Sequence, residues 1–371
     1  MKTNKKAVMQ FKFGICIFLI ITFISCSENG DPVKIEIVDG AKIITNPDYP
    51  REGKFSLSLE EELSIGEGEE EGQFFASPGD ICISDEGTVF VEDSNLVQIC
   101  CFDSSGNYIR AFGKKGKGPG EFETLRFTLS QDGRIFAMDS VNARISILDM
   151  KGNYINGFKV LNISGGWNKI YSDRNDNLYI SKERRTEKGY MMSIHRFDQE
   201  GNETLNYGEF PGDLFLWRKR GDKMSPSRSS STPTTIWIVS DNGRLYTGYS
   251  DDYLISVYDQ EGDLLFKFGR KYKPMPDTEN WLEGISEHLP AFFRSWIMDD
   301  AGNVWIELIS LNWPQDMTYD IFSPDGIYLK QVQIKHRIIT IKNQRAYCIV
   351  PSEEELPLVK RYRMIETLDK N

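Results

Sequence analysis

One motif returns five times along this chain. Segments 84–113, 130–158, 172–202, 240–269 and 298–334 each contain short strands separated by tight turns built on Asp and Gly. A repeat of roughly 40–60 residues made only of strands cannot bury its apolar surface alone. It must stack on its neighbours, which is the mark of a propeller blade. The fold class this predicts is all-β, a propeller of four-stranded antiparallel blades. That prediction constrains the architecture far more than the chemistry.

The first repeat shows the pattern. Asp80–Ser84 alternates Ile81 and Ile83 around Cys82, and Asp85-Glu86-Gly87 turns the chain. Thr88–Glu92 and Val97–Phe102 follow, then the turn Asp103–Asn107, then Tyr108–Phe112. Each run is β-branched or aromatic and bounded by Gly, Asp or Asn, as strands in hairpins require. The second repeat reads Thr128–Ser130, Arg134–Met138, Ile145–Asp149 and Tyr154–Phe158. The third to fifth cover about 168–208, 236–269 and 295–334. A sixth supplies three strands only: Arg337–Ile341, Ala346–Val350 and Val359–Ile365. The amphipathic stretch Lys54–Ile65 stands before the first blade with no blade of its own. We expect it to complete the sixth blade and close the ring, which removes two free sheet edges. Six blades result, over 54–366, with 367–371 as a tail; seven is the alternative count.

The first 25 residues lie outside this pattern. Lys2, Lys5, Lys6 and Lys12 make a basic start, and Phe13–Ile24 is an apolar run too short to span a membrane comfortably. Ser25-Cys26 after that run resembles a bacterial lipobox. The resemblance implies cleavage before Cys26, lipidation of its sulfur and amine, and a tether over 26–53; an ordinary secretory peptide or an N-terminal anchor helix is the alternative. Ser27-Glu28-Asn29-Gly30-Asp31 resembles the acidic surface-export signal of Bacteroidetes lipoproteins, which implies an outer-membrane protein, surface-exposed or periplasmic. Without the signal segment, 40 basic residues face 55 acidic ones, a charge of −15. That balance argues against nucleic acid, which needs a basic footprint. Cys82, Cys100, Cys101 and Cys348 show no zinc spacing and are expected as buried free thiols; a disulfide involving Cys348 across the seam between the first and sixth blades is the alternative.

The connections between blades also repeat. Gly66–Phe74 matches Gly113-Lys114-Lys115-Gly116-Lys117-Gly118-Pro119-Gly120-Glu121-Phe122 in position. Asp139-Ser140-Val141-Asn142-Ala143-Arg144 carries a D-x-x-N-x-R signature, with Asp93 and Asn95 as a partial copy. Both features resemble the NHL-repeat family, and the whole is similar to the six-bladed propeller lipoproteins of gut Bacteroidetes. The resemblance implies fold and location, and no reaction.

Several motifs have a plain structural explanation. Gly113–Gly120 is Gly- and Lys-rich but lacks the G-K-[S/T] ending of a phosphate loop. The Asp-x-x-Gly turns at Asp103, Asp149, Asp198 and Asp259 lack the run of carboxylates that calcium needs, and read as turn chemistry. His195, His288 and His336 are the only histidines, far apart in sequence, so no Ser/His/Asp set can be argued. Asp93, Asp139 and Asn142 read first as hydrogen-bonded turns. Their functional alternative is a calcium or other divalent site at the channel, serving a metal-dependent hydrolase or lyase.

Propeller geometry adds one directional argument. Connections between second and third strands, and between blades, emerge on one face; the tight turns emerge on the other. The long insertions 181–190, 207–235, 270–295, 310–316 and 351–357 all belong to the first face. They hold Trp217, Tyr272, Trp281, Phe292, Phe293 and Trp313 with Arg184, Arg185, Lys188, Arg218, Lys219, Arg220 and Arg228. Aromatic planes stack on sugar rings and guanidiniums pair with anions. The expected function is therefore a non-catalytic envelope module binding a glycan or an envelope protein through Arg184, Arg185, Trp217, Arg218, Lys219, Arg220, Trp281 and Trp313, with no cofactor.

Overall fold

A computed structural model describes residues 33–68, 73–163, 169–220, 223–228, 233–272, 293–309, 317–351 and 356–368. Strands β1 (Lys34–Val38), β2 (Ala41–Asn46) and β3 (Gly53–Ile65) precede the repeats. Blade 1 is β4 (Pro78–Ile83), β5 (Val89–Asp93), β6 (Gln98–Phe102) and β7 (Tyr108–Phe112). Blade 2 is β8 (Arg126–Leu129), β9 (Arg134–Asp139), β10 (Arg144–Asp149) and β11 (Tyr154–Lys159). Blade 3 is β12 (Tyr171–Ser172), β13 (Leu178–Arg185), β14 (Gly189–Phe197) and β15 (Glu203–Arg220), extended by β16 (Lys223–Arg228). Blade 4 is β17 (Thr235–Val239), β18 (Leu245–Tyr249), β19 (Leu254–Tyr258) and β20 (Leu264–Arg270). Blade 5 is β21 (Phe293–Met298), β22 (Val304–Leu308), β23 (Met317–Phe322) and β24 (Tyr328–Ile334). Blade 6 takes β25 (Ile338–Lys342), β26 (Arg345–Val350) and β27 (Leu358–Leu368) from the end of the chain.

Its fourth strand comes from the beginning. β3 pairs antiparallel with β27, from Val359 opposite Ile65 to Leu368 opposite Phe55. The first strands of the blades touch in a closed circuit, β4 to β8, β12, β17, β21, β25 and back to β4. The protein is thus an all-β, six-bladed propeller closed by an N-terminal strand, as expected.

The core is divided among the six seams between blades. Strands β5 and β6 are buried at every position, because each face of the blade meets a neighbouring sheet. Phe90, Ile99 and Cys101 of blade 1 pack on Phe127, Ile135 and Leu148 of blade 2. The closing seam joins Ile65, Tyr347 and Val359 of blade 6 to Ile81, Val89 and Phe102 of blade 1. All four described cysteines are free thiols, as expected from their spacing.

The turns between third and fourth strands interlock with the blade behind. Asp149 Oδ1 accepts the Lys151 and Asn153 N–H groups, each at 2.8 Å, and Gly152 adopts φ 87°. A Cβ on Gly152 would lie 2.2 Å from the Phe112 ring of blade 1. Gly201 meets Phe158, Gly326 meets Phe268, and Gly106 of blade 1 meets Leu63 of β3 in the same way. β3 therefore fills the outer position of blade 6 down to this contact.

The stretch 33–53, read from sequence as tether, is instead part of the folded body. β1 and β2 form a hairpin through Asp39-Gly40, both at positive φ, the two-residue turn that matches strand twist. β2 then adds parallel to β20 on the rim of blade 4. The Arg51 and Glu52 N–H groups bond to the outer edge of blade 5, and the start of β3 pairs parallel with β24. One strap thus covers the rims of three consecutive blades.

A buried ion pair anchors the strap's neighbourhood. Asp320, fully buried, accepts from Arg270 Nε (2.6 Å), Tyr253 OH (2.6 Å), Tyr328 OH (2.7 Å) and Gln331 Nε2 (3.0 Å). The Arg270 guanidinium lies 4.5 Å from the Tyr272 ring centre and 5.1 Å from that of Tyr328. Burial beside Asp320 pushes the Tyr253 and Tyr328 hydroxyls up, so both remain donors. Asn46 bridges the same blades, donating to the Gly269 and Gly326 carbonyls and accepting from the Tyr328 N–H.

Two stability predictions follow from this packing. Asp320→Ala strands a buried guanidinium, and urea unfolding should show a loss of about 3–5 kcal/mol. Ile65→Ala in the closing seam should cost about 2–4 kcal/mol, whereas Ile37→Ala on the exposed hairpin should stay within about 0.5 kcal/mol.

Candidate functional site

The first strand of each blade lines a central cavity of about 520 Å³. Strand register sorts its positions. Ile81, Phe127, Ile170, Trp237, Trp296 and Ile338 are all buried against a seam. At the next paired position, one residue further on in five blades and two in blade 6, where Ile339 sits in a register shift, Cys82, Thr128, Tyr171, Ile238, Ile297 and Thr340 form a ring around the cavity, one from each blade. Below the ring, Ser172, Arg174, Asp241 and Asn242 line the wall. These belong to the tight-turn end, so the cavity extends toward the face opposite the long insertions. Burial, with Asp80 adding to it, pushes the Cys82 thiol up to about 12, which makes it a poor nucleophile.

At the other end of the same strands lies a charged cluster. Glu92 is fully buried on β5 and pairs with Arg126 at the start of β8. It also accepts from Ser94 Oγ at 2.8 Å and the Asp80 N–H at 3.1 Å. Burial raises its carboxyl above the ordinary range, and Arg126 opposes the shift. Arg126 and Lys169 both approach Asp80, at 3.8 and 4.0 Å. Blade 5 repeats the device, with Glu307 held by Ser295 and by Arg337 of blade 6 at 3.0 Å.

The residues singled out from sequence fall into three groups. Asp93 and Asp139 are fully buried ends of second strands. Asp93 accepts the backbone N–H groups of Ala76, Ser77, Asn95 and Leu96. Asp139 accepts those of Glu123, Thr124 and Asn142, together with the Asn142 side-chain amide at 2.6 Å. Arg144 completes the signature by donating to the Lys117, Gly118 and Glu121 carbonyls. Asp93, Asp139, Asn142 and Arg144 therefore fasten the linker between blades, each aspartate within its own blade. No group of three His, Cys, Asp or Glu side chains gathers to hold a metal among the described residues. In the Gly-rich linker, the Gly118 N–H bonds to Glu121 and no phosphate cradle forms.

Arg184 and Arg185 lie on β13. The segment 181–190 is a continuation of the β13–β14 hairpin, with Arg184 opposite Met191 and Arg185 opposite Tyr190. Arg184 makes a forked ion pair with Glu209 of β15 at 3.0 Å. Trp217, Arg218, Lys219 and Arg220 end β15 and pair with β16, Trp217 opposite Pro226 and Arg220 opposite Lys223. The expected loop 207–235 is thus largely a strand pair, and blade 3 carries a sheet extension rich in basic residues. Cys26, Trp281, Trp313 and His288 lie outside the described residues.

One arrangement escaped the sequence reading. His195 Nε2 lies 2.7 Å from Ser193 Oγ, and Nδ1 lies 2.9 Å from Glu203 Oε1. Lys182 Nζ holds the other Glu203 oxygen at 2.7 Å. The Ser193–His195 spacing places both on one face of β14, but Glu203 reaches them only through the pairing of β15. This is the order of a nucleophile, base and orienting acid. None of the three lines the channel cavity, and the set ties β13, β14 and β15 together. Burial holds His195 below the ordinary histidine range, against the pull of Glu203. The folded chain then binds fewer protons than the unfolded one, so this stabilisation is complete above about pH 6.5 and is lost as pH falls. The stability advantage of the native chain over His195→Gln, from urea titrations, should accordingly narrow between pH 8 and pH 5.

Comparison with known proteins agrees with the fold. Residues 70–212 match a family model, DUF5128, described as a 6-bladed beta-propeller. No curated protein matches the chain. A Bacteroides vulgatus protein of the DUF4221 family superposes with a TM-score of 0.56 at 9% identity, covering 84% of this chain and 99% of that one. A candidate exported protein of Bacteroides fragilis superposes with a TM-score of 0.53 at 11% identity, covering 88% and 98%. At such identities the likeness concerns architecture, and on that ground this chain is a six-bladed β-propeller similar in fold to Bacteroides proteins.

Proposed function

We propose that this chain is a non-catalytic, lipid-anchored module of the cell envelope that binds a glycan within its propeller channel. The supporting observation is the ring of one residue per blade. Ile238 and Ile297 offer an apolar wall, while Thr128, Thr340, Ser172 and Asn242 offer hydroxyls and an amide. A sugar ring presents the same division, a C–H face and a rim of hydroxyls. Convergent polar groups in a mostly preformed hollow are the usual form of a small-ligand site. The basic extension of blade 3 supplies a second surface, suited to an anionic glycan or an envelope protein.

Thermal unfolding of residues 27–371 against neutral and anionic glycans, with calcium and with EDTA, tests the proposal. A rise with one glycan class, unaffected by EDTA, is expected, and Thr128→Val with Asn242→Ala should abolish it. Loss of the rise in Arg218→Ala/Lys219→Ala/Arg220→Ala instead would move binding to the blade 3 extension. No rise with any glycan would overturn the glycan reading.

A further inference from the structure

We propose that the β1–β2 hairpin rests on the lipid surface, so that the propeller stands on the rim of blade 4 with neither face of the ring turned toward the membrane. The inference rests on Cys26 carrying the lipid anchor.

Little chain separates Cys26 from the hairpin. Lys34, the first residue of β1, is only eight residues beyond Cys26. A fully extended chain spans at most about 3.3–3.6 Å per residue, hence about 30 Å here. Whatever path those residues take, β1 stays close to the membrane.

Position in the sheet makes β1 the part best placed to arrive there. The sheet runs β1-β2-β20-β19-β18-β17 outward to inward. With strands about 4.8 Å apart, β1 stands about 10 Å beyond the rim of an ordinary four-stranded blade. Contact through β1 places the channel axis near the membrane plane, whereas contact through either face would require the tether to round the rim.

The chemistry of this edge fits a lipid interface. Ile37 is 56% exposed, Val38 42% and Ile35 37%. Lys42 stands opposite Ile37 in the hairpin. Lys34 pairs with Glu36 at 2.8 Å, which moderates the one acidic side chain within β1. Apolar side chains beside lysines suit the boundary between acyl chains and headgroup phosphates. A distant rim provides an internal comparison. Blade 2 exposes Ile155 and Tyr154 on β11, two blades round the ring from blade 4, and these should stand clear of the membrane.

The test uses the full chain, expressed with its own signal segment and placed in phosphatidylethanolamine/phosphatidylglycerol vesicles. Mass spectrometry of the N-terminal peptide comes first; an unmodified Cys26 would refute the anchor itself. With the acyl group confirmed, a fluorophore is attached at Ile37→Cys or at Ile155→Cys, each in a Cys82→Ser background. Spin-labelled headgroup lipid should quench the label at 37 at least threefold more than the label at 155. Equal quenching, or stronger quenching at 155, would overturn the orientation. Cross-linking between two copies through position 37, with no lipid quenching, would also overturn it and assign the hairpin to self-association.

Discussion

Everything in this fold depends on one pairing between the two ends of the chain. β3 lies against β27 over the length of both strands, and without it blade 6 would have three strands and an open edge. The consequence reaches past blade 6. Each seam is apolar on both sides, and a blade left without its neighbour would expose a sheet face of the kind carried by Phe90, Ile99 and Cys101. Six seams are buried only if the ring closes. The contacts of the closing strand join the two ends of the chain, so loop-closure entropy weighs heavily on this pairing. The strap over blades 4, 5 and 6 adds to it, since β2 pairs with β20 and the start of β3 pairs with β24.

A second constraint is the treatment of buried charge. Asp93, Asp139, Glu92, Glu307 and Asp320 are all nearly inaccessible, and a lone buried carboxylate would be costly. Each is surrounded by donors instead. Asp93 and Asp139 take backbone N–H groups from the linker, Glu92 and Glu307 take an arginine from the next blade, and Asp320 takes Arg270 with two tyrosines. These acids are therefore joints between chain segments. Most join parts distant in sequence.

How much of this was legible in the sequence depends on distance along the chain. The Asp-x-x-Gly turns at Asp103, Asp149, Asp198 and Asp259 announce themselves locally, since each aspartate bonds residues two and four further on, and the repeats around them mark the blades. The role of Lys54–Ile65 was legible by counting, because one blade lacked a strand and one strand lacked a blade. The β1–β2 hairpin carried a strong signal in Asp39-Gly40 between alternating apolar residues, but its position close behind the apolar N-terminal run made it read as tether. The extension of blade 3 was hidden for another reason. β13, β14 and β15 simply continue past the usual strand length, and a polar strand beyond the rim resembles a loop in composition. The channel ring was illegible, since its six members lie 43 to 67 residues apart and no local pattern unites them.

The repeats themselves separate what the fold demands from what it leaves free. Positions facing a seam hardly vary in character: Ile81, Phe127, Ile170, Trp237, Trp296 and Ile338 are large, apolar and buried in every blade. The next paired position varies from Cys82 to Thr128, Tyr171, Ile238, Ile297 and Thr340. Packing alone would favour six similar side chains there, as it does at the position before. The level above shows the same freedom, with Asp80, Arg126, Lys169 and Arg337 on four blades and Ile236 and Ser295 on the other two. A sixfold scaffold has no mechanical need for a channel wall that differs from blade to blade. Such asymmetry distinguishes the orientations of anything that enters, and a wall that can orient a guest is what a binding channel requires.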